Sequence, residues 1–494
     1  MHSSPTTAHR ANTNVTFAVL ATGVVAYGLL QSLVTPVLPT LQTALHTSQS
    51  NVTWVLTAYL LSASVFTPIL GRLGDMTGKK RMFVVALAGL AVGCLLAALA
   101  TNLTVMIVAR VIQGIGGGML PLAFGIIRDE FPGPKVPGAV GSIAALIAVG
   151  AGVGIVLAGP IVDGLDYHWL FWFPLIVLVI ATVAAQFLVP ESPVRTAGKI
   201  NWLTAALLSA WLVALLIAVS EAPDWGWASG RVIGLLAAAV VLAVVWVAGE
   251  SRATHPLIDM GMMRVRGVWT ANLVALLFGV AMYAGFAFIP EFLQTPTVSG
   301  YGLGASITAS GLMLLPQSVG MFVVGLFTGR LAQRFGSKNL LVVGSVIAVA
   351  CYLALAYAHG ARWEIYVNSA FQGVGFGLAF AAMSNLIVAA VPGHQTGVAS
   401  GMNANIRTIG GALGASVMAS VVTADVFPNG LPMESGYRNG FLMLAGALLL
   451  SAIAALLIPA VRRDPRTHVE PDVELRHPEA ALAAGGTVVG ADSE

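Results

Sequence analysis

Two arginines stand where arginine is costly. Arg110 and Arg407 lie inside apolar runs long enough to cross a bilayer, where a guanidinium is expensive unless protein or water faces it. Its planar fork of donors suits carboxylates, phosphates and backbone carbonyls, so both are candidates for substrate binding or coupling. The alternative is a structural arginine held by backbone carbonyls. Asn403 sits four residues before Arg407, on the same face if the run is helical. Gln31, Gln113 and Gln372 place amides in similar runs, and Tyr283, Phe286, Phe288, Phe371, Phe376 and Phe380 supply aromatic surface. Together these could line a cavity for lipophilic molecules, although packing against lipid is the default for any one of the aromatic side chains.

Acid chemistry is confined to the ends of the runs. By the apolar boundaries no Asp, Glu or His falls within a run, and the carboxylates nearest the outer ends are Asp163 and Glu291. A proton carrier needs a carboxyl whose burial favours the protonated form near neutral pH. On that reading Asp163 and Glu291 are the carriers; otherwise they are rim acids facing water. A further constellation is GRLGDMTGKK, residues 71–80, echoed by GRLAQRFGSK at 329–338. Gly71, Gly74 and Gly78 permit a tight turn and close helix approach. Asp75 is able to pair with bases such as Lys79 and Lys80 or to sit against a helix N-terminus. The segment is expected to be a conformational latch, the alternative being a basic loop that only sets orientation.

The elements that carry these residues follow from composition. Of 494 residues, 57% are apolar and 9% charged, against roughly 25% charged in soluble domains. A net charge of +3 is too small for a nucleic-acid partner. A spanning helix needs about 20 apolar residues, and fourteen such runs are present, among them 52–70, 105–127 and 232–249. They lack the alternation of a membrane β-barrel, so the fold is expected to be an all-α polytopic membrane protein. With both termini on the cytoplasmic side, nineteen Lys and Arg fall in inner loops and tails and three in outer loops, as the positive-inside rule requires. Tryptophans, including Trp202, Trp246 and Trp269 at the inner ends, are expected to mark the membrane boundaries.

The runs repeat. Besides the GRL pair, QGIGGG (113–118) matches QGVGFG (372–377), and FPGPKVPGAVGS matches VPGHQTGVASGM, all at offsets of 258 to 260. The expected organisation is a tail (1–16), a six-helix bundle (17–189), a linker with two extra spans (190–267), a second six-helix bundle (268–460) and a disordered cytoplasmic tail (461–494). Parallel repeats of this kind characterise secondary transporters, with the substrate site between the halves. Glycine clusters within spans lack the Lys-Ser/Thr of a nucleotide loop. Neither a metal-ligand cluster nor a nucleophile constellation is evident, so an enzyme is disfavoured and no cofactor or nucleotide is expected. A membrane receptor would not need two half-repeats. Transport would draw on a proton gradient or on the substrate's own gradient, and the chain is expected to act as a monomer in the cell membrane.

These motifs also carry a resemblance. G-x-L-x-D-x-x-G-K-K at residues 71–80 resembles the loop signature of the major facilitator superfamily, with Met76 where a base is usual. Fourteen spans and WVLTAYLLSASVFTPILGRLGD (54–75) resemble its drug:proton antiporters with fourteen helices. Arg110, Gln113, Gly114 and Gly116 match that group's R-x-x-q-G-x-G element. Gly150, Gly154, Gly159 and Pro160 partly match its helix-5 antiporter motif, with Ile155 and Ala158 departing from it. The aspartate often present in the first helix is missing, Leu30 standing at its position. The resemblance implies proton-coupled efflux of lipophilic drugs or antibiotics by alternating access. Its alternative within the same fold is a carrier of an endogenous lipid or anionic amphiphile.

Overall fold

The structure, a computed structural model, describes residues 13–47, 49–192, 201–253, 256–428 and 431–459. The expectations for most of the N-terminal tail, for the tail after Ala460, and for Arg195 and Lys199 lie outside the described residues. Fourteen long helices account for the described chain. The first repeat comprises α1 (Thr13–Leu33), α2 (Gln49–Thr77), α3 (Lys79–Ala98), α4 (Leu103–Glu130), α5 (Val136–Gly164) and α6 (Trp169–Leu188). Helices α7 (Trp202–Trp225) and α8 (Gly230–Arg252) follow. The second repeat comprises α9 (Arg266–Gln294), α10 (Ile307–Phe335), α11 (Ser337–Tyr357), α12 (Arg362–Ala389), α13 (Thr396–Val422) and α14 (Glu434–Leu456).

Helix is the form in which each segment satisfies its own backbone in lipid. Several starts are fixed by polar caps: Asn102 accepts from Val105 N–H at 3.0 Å before α4, and Ser306 accepts from Ala309 N–H at 3.1 Å before α10. Thirteen of the fourteen are long and apolar enough to cross a membrane. The exception is α13, which carries Asn403, Asn405 and Arg407 and buries them against α9, α2 and α4. It faces protein, so lipid does not dictate its composition.

Packing reproduces the sequence repeat. α1 packs on α5 as α9 does on α13, α3 on α6 as α11 on α14, and α2 on α4 as α10 on α12. The repeats meet along two seams, α2 with α13 and α5 with α10. Both ends of the described chain lie at the end that carries Asp75. Thr13 lines a cleft with Arg330 there, and Lys338 Nζ donates to the Leu456 and Ile458 carbonyls at 2.7 Å.

The helices run past the apolar boundaries, and this corrects two expectations. Residues 71–77 are the last turns of α2 rather than a loop, and the turn itself is one residue, Gly78 at φ +122°. Gly336 repeats it at φ +79° between α10 and α11. Only glycine adopts these conformations without strain. Acids also enter the helices: Asp75, Asp129 and Glu250 are buried near helix ends. Trp246 is no boundary anchor, since it is buried with its ring 5.9 Å from that of Trp211.

Candidate functional site

Two assemblies span the repeats, one at the Asp75 end and one in the interior. At the Asp75 end, α2 and α13 approach through glycine: a Cβ on Gly71 would lie 2.7 Å from the Gly397 carbonyl oxygen. Gly329 meets Gly138 in the same way across the α5–α10 seam. That closeness lets the Asp75 carboxylate accept from Val398 N–H at 3.2 Å, in the first turn of α13. A carboxylate at a helix N-terminus is favoured by the unpaired N–H groups and the helix dipole. Lys79 Nζ lies 3.7 Å from Asp75 and 2.5 Å from Asp129, all three side chains being buried. The Ser192 hydroxyl donates to the same Asp129 carboxylate. Arg128 reaches across to the second repeat, donating to the Val388 carbonyl and, at 2.8 Å, to the Thr396 hydroxyl. Lys80 is partly exposed, and its N–H donates to Glu191 at 3.2 Å, with Arg81 3.6 Å from that acid.

The echo segment makes a weaker version of this contact. Gln333, at the position corresponding to Asp75, donates to the Pro134 carbonyl at 3.2 Å. A carboxylate therefore bridges one seam, and a neutral amide the other.

In the interior, Arg110 is fully buried. Its Nε donates to the Val55 carbonyl at 2.8 Å and one terminal nitrogen to Gln113 Oε1 at 2.7 Å. Gln113 in turn donates to Cys94 Sγ at 3.6 Å, so it orients the arginine. Cys94 and Cys351 are both free thiols. The Arg110 guanidinium carbon stands 4.6 Å from the Tyr59 ring centroid, a cation–π geometry. The other terminal nitrogen has no hydrogen-bond partner. Tyr27 of α1 lies 6.5 Å from Tyr59, centroid to centroid, and within electrostatic reach of Tyr283 and Arg407. Arg407 rests 4.5 Å from the Phe380 ring centroid, and its Nε is buried without a partner. Arg110 thus stands with Tyr59 and Tyr27 in the first repeat, and Arg407 with Phe380 in the second.

The remaining residues distribute as follows. Gln31 is partly exposed one turn beyond Tyr27, and Gln372 is buried. Asn403 donates to the Ala271 carbonyl at 3.3 Å and to Asn272 Oδ1 at 3.0 Å, which ties α13 to α9 instead of facing a cavity. Phe376 packs edge-on against Phe278 and Phe286, whereas Phe371 is 60% exposed and faces away from the site. Glu291 is exposed one turn before the end of α9 and accepts from the Tyr437 hydroxyl at 3.1 Å. Asp163 belongs to the last turns of α5, and its side chain is outside the described set. Gly150 and Gly154 face α1, Gly159 faces Thr308 of α10, and Pro160 lies within α5 on an exposed side. Sequence reasoning missed Arg128, Asp129, Tyr27 and Tyr59. The run RDEF at 128–131 was the available signal for the first two.

Two sets of six long helices, joined at one end by charged contacts and carrying buried arginines at their interface, make up a polytopic membrane protein built like a transporter. The chain belongs to the Major Facilitator Superfamily, which it matches over residues 20–415 and 296–486. It is 30% identical over 422 residues to a tetracenomycin C resistance and export protein from Streptomyces glaucescens, covering 84% of this chain and 77% of that one. The multidrug transporter protein MdtP of Bacillus subtilis is 29% identical over 385 residues, 76% of this chain and 69% of its own. A probable actinorhodin transporter from Streptomyces coelicolor is 30% identical over 399 residues, 78% and 68% of the two chains. The fold is similar to that of the crystal structure of the human organic anion transporter MFSD10 (TETRAN). The TM-score is 0.65 at 17% identity, over 90% of this chain and 99% of that one.

Proposed function

We propose that this protein exports lipophilic small molecules, antibiotics among them, by alternating access in exchange for protons. The observation that carries the reading is the charged contact between repeats at the Asp75 end. Transport by alternating access requires reversible contacts of this kind, broken when that end opens. The export and resistance proteins among its relatives support the substrate class. On this reading the repeats are two bundles, 17–189 and 268–460, joined by 190–267. The Asp75 end is cytoplasmic, the Arg110–Tyr59–Tyr27 cluster contacts substrate or couples it to the proton, and Asp163 or Glu291 carries the proton. One chain suffices for transport.

The test is uptake of lipophilic dyes and antibiotics into proteoliposomes under an imposed pH gradient. Concentration of a compound against its own gradient, abolished by a protonophore, is expected. Flux that ignores the pH gradient overturns proton coupling. A second reading, a carrier of an anionic amphiphile, is favoured by the unpartnered donors of Arg110 and Arg407. It predicts competition by anionic but not cationic compounds.

A further inference from the structure

The two seams between the repeats are not equivalent. α7 packs on α2 and α13, and Trp227 at the α7–α8 turn donates to the Ser420 hydroxyl at 2.8 Å. Helix α7 therefore covers the α2–α13 seam. On the α5–α10 seam, at the Asp75 end, lies a cleft of about 320 Å³. Phe131, Lys135 and Ala139 form one wall from the first repeat; Leu326, Arg330 and Gln333 form the other from the second. The hydrogen bond from Gln333 to the Pro134 carbonyl ties the walls together. Lys135 and Arg330 are exposed, and among the described residues no carboxylate lies within 4.0 Å of either. From the cleft an apolar strip runs up α10 at helical spacing: Leu326, Val323 and Val319, with 50%, 45% and 52% of their surfaces exposed.

A base from each repeat, uncompensated by acid, meets a membrane-facing apolar strip at the end of the spans. That pattern matches an anionic lipid, whose phosphate pairs with guanidinium and ammonium groups while its chain covers apolar side chains. We propose that this cleft binds one anionic phospholipid, headgroup at Lys135 and Arg330 and acyl chain along α10. Because the bases belong to different repeats, the lipid binds best when this end of the seam is closed, and so favours that state.

Native mass spectrometry of the detergent-purified protein, titrated with phosphatidylglycerol and with phosphatidylcholine, tests the proposal. The wild type is expected to retain phosphatidylglycerol selectively. The exposed double substitution Lys135→Gln/Arg330→Gln should weaken that binding about thirtyfold, two headgroup contacts being lost, and leave phosphatidylcholine unchanged. Arg264→Gln/Arg266→Gln removes two exposed charges at the same end, where α9 begins, and should leave selectivity intact. Equal binding of the two lipids by the wild type overturns the site. An equal loss in both double variants replaces it with diffuse attraction to a basic surface. Binding of glycerophosphoglycerol, the headgroup without chains, as tightly as the lipid replaces it with a small-anion site.

Discussion

Asp75→Asn isolates the charge in the lock. The substitution keeps the side chain's shape and one acceptor oxygen, so the bond from Val398 N–H, 3.2 Å long, has a replacement. Lys79 is not orphaned, because Asp129 holds it at 2.5 Å. What disappears is the attraction between a buried carboxylate and the α13 N-terminus, worth up to about 2 kcal/mol in partly buried geometry. Relief from burying a charge offsets part of it. A net change of about 1 kcal/mol shifts the balance between closed and open forms about fivefold. Two probes placed on the α4–α5 and α12–α13 turns would report that shift as a redistribution of distances. Flux in proteoliposomes should fall by a similar factor while the amount of folded protein in the membrane stays near normal. An unchanged distance distribution with wild-type flux would refute the lock and leave the segment as an orientation signal. Gln333→Ala is the matched control. It removes an exposed neutral hydrogen bond of 3.2 Å, worth about 1 kcal/mol or less, and should shift the distances less than Asp75→Asn.

Three other outcomes are expected. Arg110→Ala should abolish flux and Arg110→Lys restore it only in part, since one ammonium cannot serve the Val55 carbonyl, Gln113 and the Tyr59 ring together; full activity of both in the same uptake assay would remove Arg110 from the mechanism. Glu291→Gln or Asp163→Asn should end pH-driven accumulation while downhill substrate exchange persists, and accumulation by the double variant would clear both acids of carrying the proton. Gly78→Ala should lower the thermal midpoint in detergent more than Gly336→Ala: both force alanine into a left-handed backbone, at a cost of about 1–2 kcal/mol, but only Gly78 also has the Glu191 carboxylate against the added methyl.

The lattice of helices was readable because lipid imposes one rule on every span, and fourteen apolar runs became fourteen long helices. Their ends were not readable from apolarity. The backbone of 71–77 stays hydrogen-bonded as helix after its side chains turn polar, which is why a single glycine makes the turn and why Asp75 and Lys79 are buried. The internal repeat led correctly to paired GRL segments but not to their difference, since Asp75 meets backbone N–H where Gln333 meets a carbonyl oxygen. Arg110 and Gln113 were found by type and spacing and do touch. Asn403 and Arg407 share a helix but part company, Asn403 being engaged by Asn272 on α9 and Arg407 lying over the Phe380 ring. Tyr27 carries no charge or motif that distinguishes it, and Tyr59 lies within the quoted 54–75 stretch without a charge to single it out; only the folded structure brings both beside Arg110.

The composition of α13 has a consequence for biogenesis. Among the described residues α13 is the long helix that falls short of the others in apolar character, so bilayer affinity contributes least to its insertion. Its stable position depends on a receiving surface, and α9 supplies one: Gly410 and Gly414 fit against the backbone of Leu276 and Val280, and Gly411 against the Tyr283 ring. α9 is synthesised four helices earlier, so it must be retained near the insertion site until α13 emerges. Substitutions on that face of α9 would then act on yield, as failed insertion and degradation, before they act on transport.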